Sequence, residues 1–112
     1  MKLVTAIIRP AVFDTVKHAL AMFDVQGLTV TEAYGSGGQP TIQIYRGQEW
    51  LLDLAPRIKI EVLVTDPDVH DVAHVISRAA ATGRAGDGML WVTEVLLAVR
   101  IRTGERGADA AS

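Results

Sequence analysis

The apolar positions change their spacing along the chain, and each change marks the boundary of an element. Leu3 to Ile8 is a β-branched apolar run stopped by Pro10, the pattern of a buried strand. From Ala11, residues Phe13, Val16, Leu20 and Phe23 recur at spacings of three and four, which predicts a helix that Gly27 is placed to end. Leu28 to Tyr34 alternates apolar and polar residues, as a half-exposed strand does. Ile58 to Val64 predicts a third strand. Asp66 and Pro67 then supply an N-cap and a first-turn proline to a helix carrying Val69, Val72, Val75, Ile76 and Ala79 on one face and closed by Gly83. Leu90 to Ile101 alternates with few breaks and predicts the last strand, while Gly104 to Ser112 is small and polar and reads as a mobile tail.

Between Gly35 and Asp53 no regular pattern holds. Gly35, Gly37, Gly38 and Pro40 open the segment, and Ile42, Ile44, Tyr45, Trp50, Leu51 and Leu52 make it more apolar than a solvated linker. Two readings are compatible with this composition: a loop that folds onto a partner or ligand, and a β-hairpin arm packed in an oligomer.

The order strand, helix, strand, loop, strand, helix, strand is that of a single α+β domain over residues 1–112 with the ferredoxin-like βαββαβ arrangement, an antiparallel sheet with both helices on one face. Both faces of the strands carry apolar residues, Ile7 beside Ile8 and Leu96 beside Leu97, so the face away from the helices is expected to be buried in an oligomer.

Composition narrows the classes. The chain has 112 residues, 49% of them apolar, enough for one core. A net charge of −2 argues against a general nucleic-acid or membrane-surface binder. With no cysteine, neither a disulfide framework nor a thiolate metal site exists. The first apolar run is too short for a signal peptide and no run approaches the roughly 20 apolar residues of a membrane span, so a cytoplasmic protein without direct membrane insertion is expected.

Candidate chemistry concentrates late in the chain. Thr82 to Val92 reads Thr-Gly-Arg-Ala-Gly-Asp-Gly-Met-Leu-Trp-Val, and Gly83, Gly86 and Gly88 allow a turn with positive φ that exposes several N–H groups to one small anion. Arg84, Arg100, Arg102 and Arg106 are near in sequence, so the stretch reads as a phosphate cradle or, more plainly, as a connecting loop. His70 and His74 have the spacing of a helical metal pair but lack a convergent third ligand; Asp66, Asp68 and Asp71 read as first-turn charges, His18 as an ordinary histidine, and no metal site is assigned.

Thr82 to Val92, with Arg100-Ile-Arg-Thr-Gly-Glu-Arg-Gly107, Tyr45-Arg-Gly-Gln-Glu-Trp50 and Met1 to Pro10, resembles the PII signal-transduction protein family from end to end, one residue short in the long loop. That resemblance implies a non-enzymatic homotrimer of ferredoxin-like subunits that binds ATP or ADP between subunits and, with Mg-ATP, 2-oxoglutarate. Its T-loop, about residues 36–53, would dock on a transporter, channel or enzyme. The resemblance implies that Gly86, Asp87 and Gly88 cover the phosphates, with Arg84 and Met89 beside them, and that Arg100 and Arg102 reach them from the neighbouring subunit. It implies an adenine pocket of Thr29, Glu61 and Leu63, and a T-loop base at Gly35, Gly37 and Gly38 close to the nucleotide. Gln39 matches the glutamine that helps hold Mg²⁺ and 2-oxoglutarate, and Arg57 stands where a lysine pairs with the 2-oxoglutarate carboxylate.

The departures from the family pattern carry chemistry too. Trp50 replaces the tyrosine that is uridylylated in many members, so that modification cannot occur at this position, and Gln48 alters the motif around it. Gly38 stands for an arginine and Met89 for a lysine, which removes two cations from the outer phosphates; each lost charge-assisted hydrogen bond weakens binding by ~1.5–3 kcal/mol. A reduced preference for ATP over ADP or AMP is expected. Pro40 has no N–H where loop amides would hold 2-oxoglutarate, whereas Arg57 can still pair with a carboxylate or with bicarbonate.

The expected function is therefore an adenine-nucleotide sensor that regulates a partner through its T-loop, with two alternatives: a PII-like regulator of inorganic-carbon uptake or carboxysomes binding bicarbonate with ADP or AMP, and a nitrogen-regulatory PII responding to Mg-ATP and 2-oxoglutarate. An acylphosphatase-type enzyme needs a positioned amide, and the chain contains no Asn. An RNA-binding module needs two or three aromatics on its central strands, and only Tyr34 and Trp91 offer themselves.

Overall fold

Alternating burial along two neighbouring strands defines the core. The computed structural model describes residues 1–25, 27–36, 41–45, 48–52 and 54–111. Strand β1 (Lys2–Ile8) buries Val4, Ala6 and Ile8, and β5 (Ala55–Val64) buries Ile60, Val62 and Val64. The two are antiparallel, with Val4 opposite Val62 and Ala6 opposite Ile60, so every one of these side chains points to the same face. Helix α1 (Phe13–Met22) covers that face with Val16 and Leu20, and α2 (Val69–Ala80) with Val72, Ile76 and Ala80. Each buried Val, Leu or Ile among them contributes about 1.5–3 kcal/mol relative to exposure, and the two alanines less.

Strands β2 (Thr29–Gly35) and β6 (Met89–Glu94) complete a four-stranded sheet in the order β2-β5-β1-β6, every pairing antiparallel. This is the order of the ferredoxin-like fold read from the chain. Between β2 and β5 the expected irregular loop contains a hairpin instead: β3 (Thr41–Tyr45) pairs with β4 (Gln48–Leu52), Thr41 opposite Leu52 and Tyr45 opposite Gln48. Of the two readings of this segment, the hairpin describes its backbone.

Several boundaries differ from the pattern-based ones, each for a local reason. Helix α1 starts after a 3₁₀ turn at Pro10–Val12 and ends before Gly27, because Asp24 takes φ 63° while Asp24 N donates to Ala21 O and Val25 N to Leu20 O. These are the paired bonds of a Schellman cap, with Asp in the position glycine usually fills. Asp66 is not the N-cap of α2. It opens a 3₁₀ turn, Asp66–Asp68, and its carboxylate pairs with the N-terminal ammonium at 2.7 Å; Pro67 lies in that turn as well, ahead of α2, whose N-cap is Asp68. Ala81, extended at ψ 129°, ends α2 ahead of Gly83. Strand β5 begins three residues earlier than expected because β2 extends along it as far as the Gly35–Ala55 pair.

The largest correction concerns the last strand, expected to run to Ile101. It ends at Glu94 because its partner ends: Glu94 faces Lys2, Val95 N reaches Met1 O, and no β1 residue remains to pair with the rest. Leu96 and Ile101 are accordingly 94% and 99% exposed. From Ala98 the chain doubles back through a Val99–Arg106 bridge, with Gly104 and Gly107 at φ 75° and 66°, into the turn α3 (Ala108–Ala111). The tail thus returns to the body of the domain.

The sheet face opposite the helices carries Leu3, Ile7, Leu63, Met89 and Trp91. Met89 is 71% exposed and Trp91 42%. Among the described residues no helix is long and apolar enough to cross a membrane.

Candidate functional site

The glycine-rich stretch between α2 and β6 is built around one carboxylate. Asp87 accepts hydrogen bonds from the Thr82 hydroxyl, from Thr82 N at 2.8 Å and Gly83 N at 3.0 Å, and from Arg9 Nε at 3.1 Å. These donors, the Thr82 hydroxyl foremost, hold its carboxyl well below the usual carboxylate range. Gly83, Gly86 and Gly88 take φ of 81°, 92° and 101°, conformations that side-chain-bearing residues adopt only with strain. The left-handed glycine turns expected of this stretch are therefore present in the backbone, and the Asp87 carboxylate faces the loop itself.

Two guanidinium groups flank the loop. A β-carbon placed on Gly86 would lie 3.0 Å from Arg9 Nη2 and 3.1 Å from Arg57 Nη2. Arg57 also connects to the base of the hairpin arm, since a β-carbon on Gly35 would stand 3.5 Å from its Cγ. Gly35, Arg57 and Gly86, three of the residues expected at the site, are thus brought together. Arg84 is exposed, its N–H donating to Thr82 Oγ1, and Met89 opens β6 on the exposed face.

A second group lies at the other end of the sheet. Thr29, Glu61, Leu63 and Arg100 line a cleft of about 870 Å³ that is closed on one side by Phe23 to Val25 and by Ala110 and Ala111. Thr29, Glu61 and Leu63, the residues expected to line an adenine pocket, and Arg100 are therefore neighbours. Arg100 Nη2 donates to Ala110 O at 2.9 Å, and its backbone bonds Glu105 and Gly104, which anchors the tail at the mouth of the cleft. Arg102, exposed two residues on, does not line it. Along β5, Leu63 of the cleft and Arg57 of the loop cluster are six residues apart, about 20 Å. Gly37, Gly38 and Gln39 lie outside the described residues.

The sequence pattern assigns no separate role to Arg9 or Thr82, yet both bond the loop. The available signals were composition and spacing: a lone cation between the buried Ile8 and Pro10, and a Thr and an Asp five residues apart around a glycine turn, where such side chains bond nearby backbone. As for metals, among the described residues no group of three or more His, Asp or Glu side chains converges.

Comparison with known proteins gives a consistent neighbourhood. Residues 1–105 match the family described as Nitrogen regulatory protein P-II. Nitrogen regulatory protein P-II of Azospirillum brasilense is 49% identical over 111 residues, which covers 98% of this chain and 99% of that protein. The protein of the same name from Bradyrhizobium diazoefficiens is 48% identical with the same coverage. Nitrogen regulatory protein GlnK of Escherichia coli is 44% identical over 113 residues, covering 100% of this chain and 99% of its own length.

Proposed function

The chain belongs to the nitrogen regulatory protein P-II family, and from that premise we propose that it is a non-enzymatic, cytoplasmic, homotrimeric sensor of adenine nucleotides that regulates a partner protein, a transporter, channel or enzyme, through its hairpin arm. The names of the relatives favour nitrogen regulation over the inorganic-carbon role.

One observation carries the reading. The cleft of Thr29, Glu61, Leu63 and Arg100 and the loop of Gly86 to Gly88 stand at opposite ends of one sheet, so neither is a whole nucleotide site within one chain. A face bearing exposed Met89 and Trp91 needs cover, and a second copy laid against it supplies the complementary half. In that assembly, adenine enters the cleft of one subunit with Arg100 and Arg102 as cations, and the phosphates meet Gly86 to Gly88 of the next.

Signalling follows from position. Gly35 ends β2 and Arg57 lies near the start of β5, so both stand at the roots of the arm, and Gly86 packs near Arg57. A ligand that engages this cluster selects among arm conformers, and partner affinity changes by the difference in ligand affinity between them. With Gly38 and Met89 in place of cations, discrimination between ATP and ADP is weak.

Calorimetric titration with ATP, ADP and AMP, with Mg²⁺ and with or without 2-oxoglutarate or bicarbonate, tests the reading. Nucleotide binding at one site per subunit, with 2-oxoglutarate added only in the presence of Mg-ATP, is the expected result. Bicarbonate binding with ADP or AMP and no 2-oxoglutarate response, which Pro40 and Arg57 would allow, transfers the assignment to inorganic carbon. No binding at millimolar nucleotide removes the sensor reading.

A further inference from the structure

One guanidinium touches both limbs of the glycine-rich loop. Arg9 Nη2 donates to Ala85 O, before Gly86, and Arg9 Nε donates to Asp87 Oδ1, after it. It lies close to Gly86, whose β-carbon, were there one, would meet Nη2 at 3.0 Å. The side chain is well anchored: Ile8 before it is 2% exposed in the core, Pro10 after it opens a 3₁₀ turn, and its own side chain is 23% exposed.

Asp87 then carries the constraint onward to Thr82 and Gly83 at the far end of the loop. The loop is thereby tied at two points, Ala85 and Asp87, to a rigid strand end, and through Asp87 to its own start at Thr82 and Gly83. Among the described residues, the Gly86 N–H donates to no protein acceptor. A loop with three glycines in the left-handed region loses much conformational entropy on ordering, so one ordered in advance binds its ligand more tightly than one ordered by the ligand.

We propose that Arg9 is a positioning residue for the nucleotide-phosphate loop: together with Asp87 and Thr82 it orders Gly86 to Gly88 before any ligand arrives. The inference rests on the reading of this loop as a phosphate seat. Arg9 acts through the loop rather than as one more cation on the phosphates, because its Nε and Nη2 are both already committed to loop acceptors.

The test uses the full chain and two readouts. Amide hydrogen exchange of residues 82–88 is measured without ligand, and ADP affinity by calorimetry, for the unmodified protein, Arg9→Lys, Asp87→Asn and the double variant. Lysine keeps the charge but cannot bond both limbs of the loop, so Arg9→Lys is expected to speed exchange at Gly86 and Gly88 about tenfold and to weaken ADP binding about tenfold. Asp87→Asn should do the same, and the double variant should add little to either alone, since both break one clasp. Unchanged exchange in Arg9→Lys, or full rescue of ADP affinity by lysine, or additive losses in the double variant would overturn the proposal. If the unmodified protein binds no ADP, the phosphate-seat reading fails, and ligand-free exchange still decides whether the clasp orders the loop.

Discussion

A β-carbon built on Gly88 would stand 1.8 Å from the carbonyl oxygen of Ile7. The loop therefore re-enters the sheet with its backbone in direct contact with β1, immediately before the Met89–Ile7 pair that starts β6. Only a residue without a side chain fits there, and φ of 101° excludes others independently. Gly88→Ala is expected to destabilise the domain by about 2–4 kcal/mol, read as a lower urea midpoint at unchanged slope.

Arg100 links the cleft of Thr29 and Glu61 to the tail through Ala110 O. Replacing it with alanine should weaken every phosphorylated adenine ligand by tenfold or more, about 1.5–3 kcal/mol for a charge-assisted contact, and leave adenosine nearly unaffected. Titration with ADP and adenosine side by side separates these cases; unchanged ADP affinity would remove Arg100 from the site.

The depressed carboxyl of Asp87 makes loop stability pH-dependent with a defined sign. A group whose folded pKa lies below its ordinary 3.8 stabilises the fold above that value, and the contribution disappears as the pH falls from there toward the folded pKa. The stability gap between the unmodified protein and Asp87→Asn should stay constant above about pH 5 and shrink below about pH 4. Urea unfolding at a series of pH values measures it. A gap that widened on acidification would contradict the hydrogen-bond assignment.

Trp91 is placed on the sheet face opposite the helices, two positions along β6 from the exposed Met89. If a second copy covers this face, Trp91→Glu buries a charge in the interface and should shift the protein toward monomer. Light scattering across a concentration series reads the shift directly. A mass that stays the same places the interface elsewhere.

Much of the fold was legible in the chain because it depends on periodicity. The strand of Leu3 to Ile8 and the apolar faces of both helices follow from which positions must be buried together, and the order of strands and helices along the chain gives the ferredoxin-like arrangement. Part of the candidate site was legible as well, since glycines at positions 83, 86 and 88 have few uses other than a left-handed turn, and all three adopt one.

What the sequence by itself determined, then, is the set of elements, the core face and the backbone character of the loop, all consequences of local spacing and residue type. The tertiary structure alone decided where the last strand ends, since β6 stops where β1 offers no partner, and which side chain carries the Schellman position after α1. It also decided that Arg9, 78 residues from Asp87 in the chain, is what holds the loop, and that Arg100 shares a cleft with Thr29 and Glu61. Such contacts depend on strand register and chain reversal, which join residues far apart in sequence and leave no period along it.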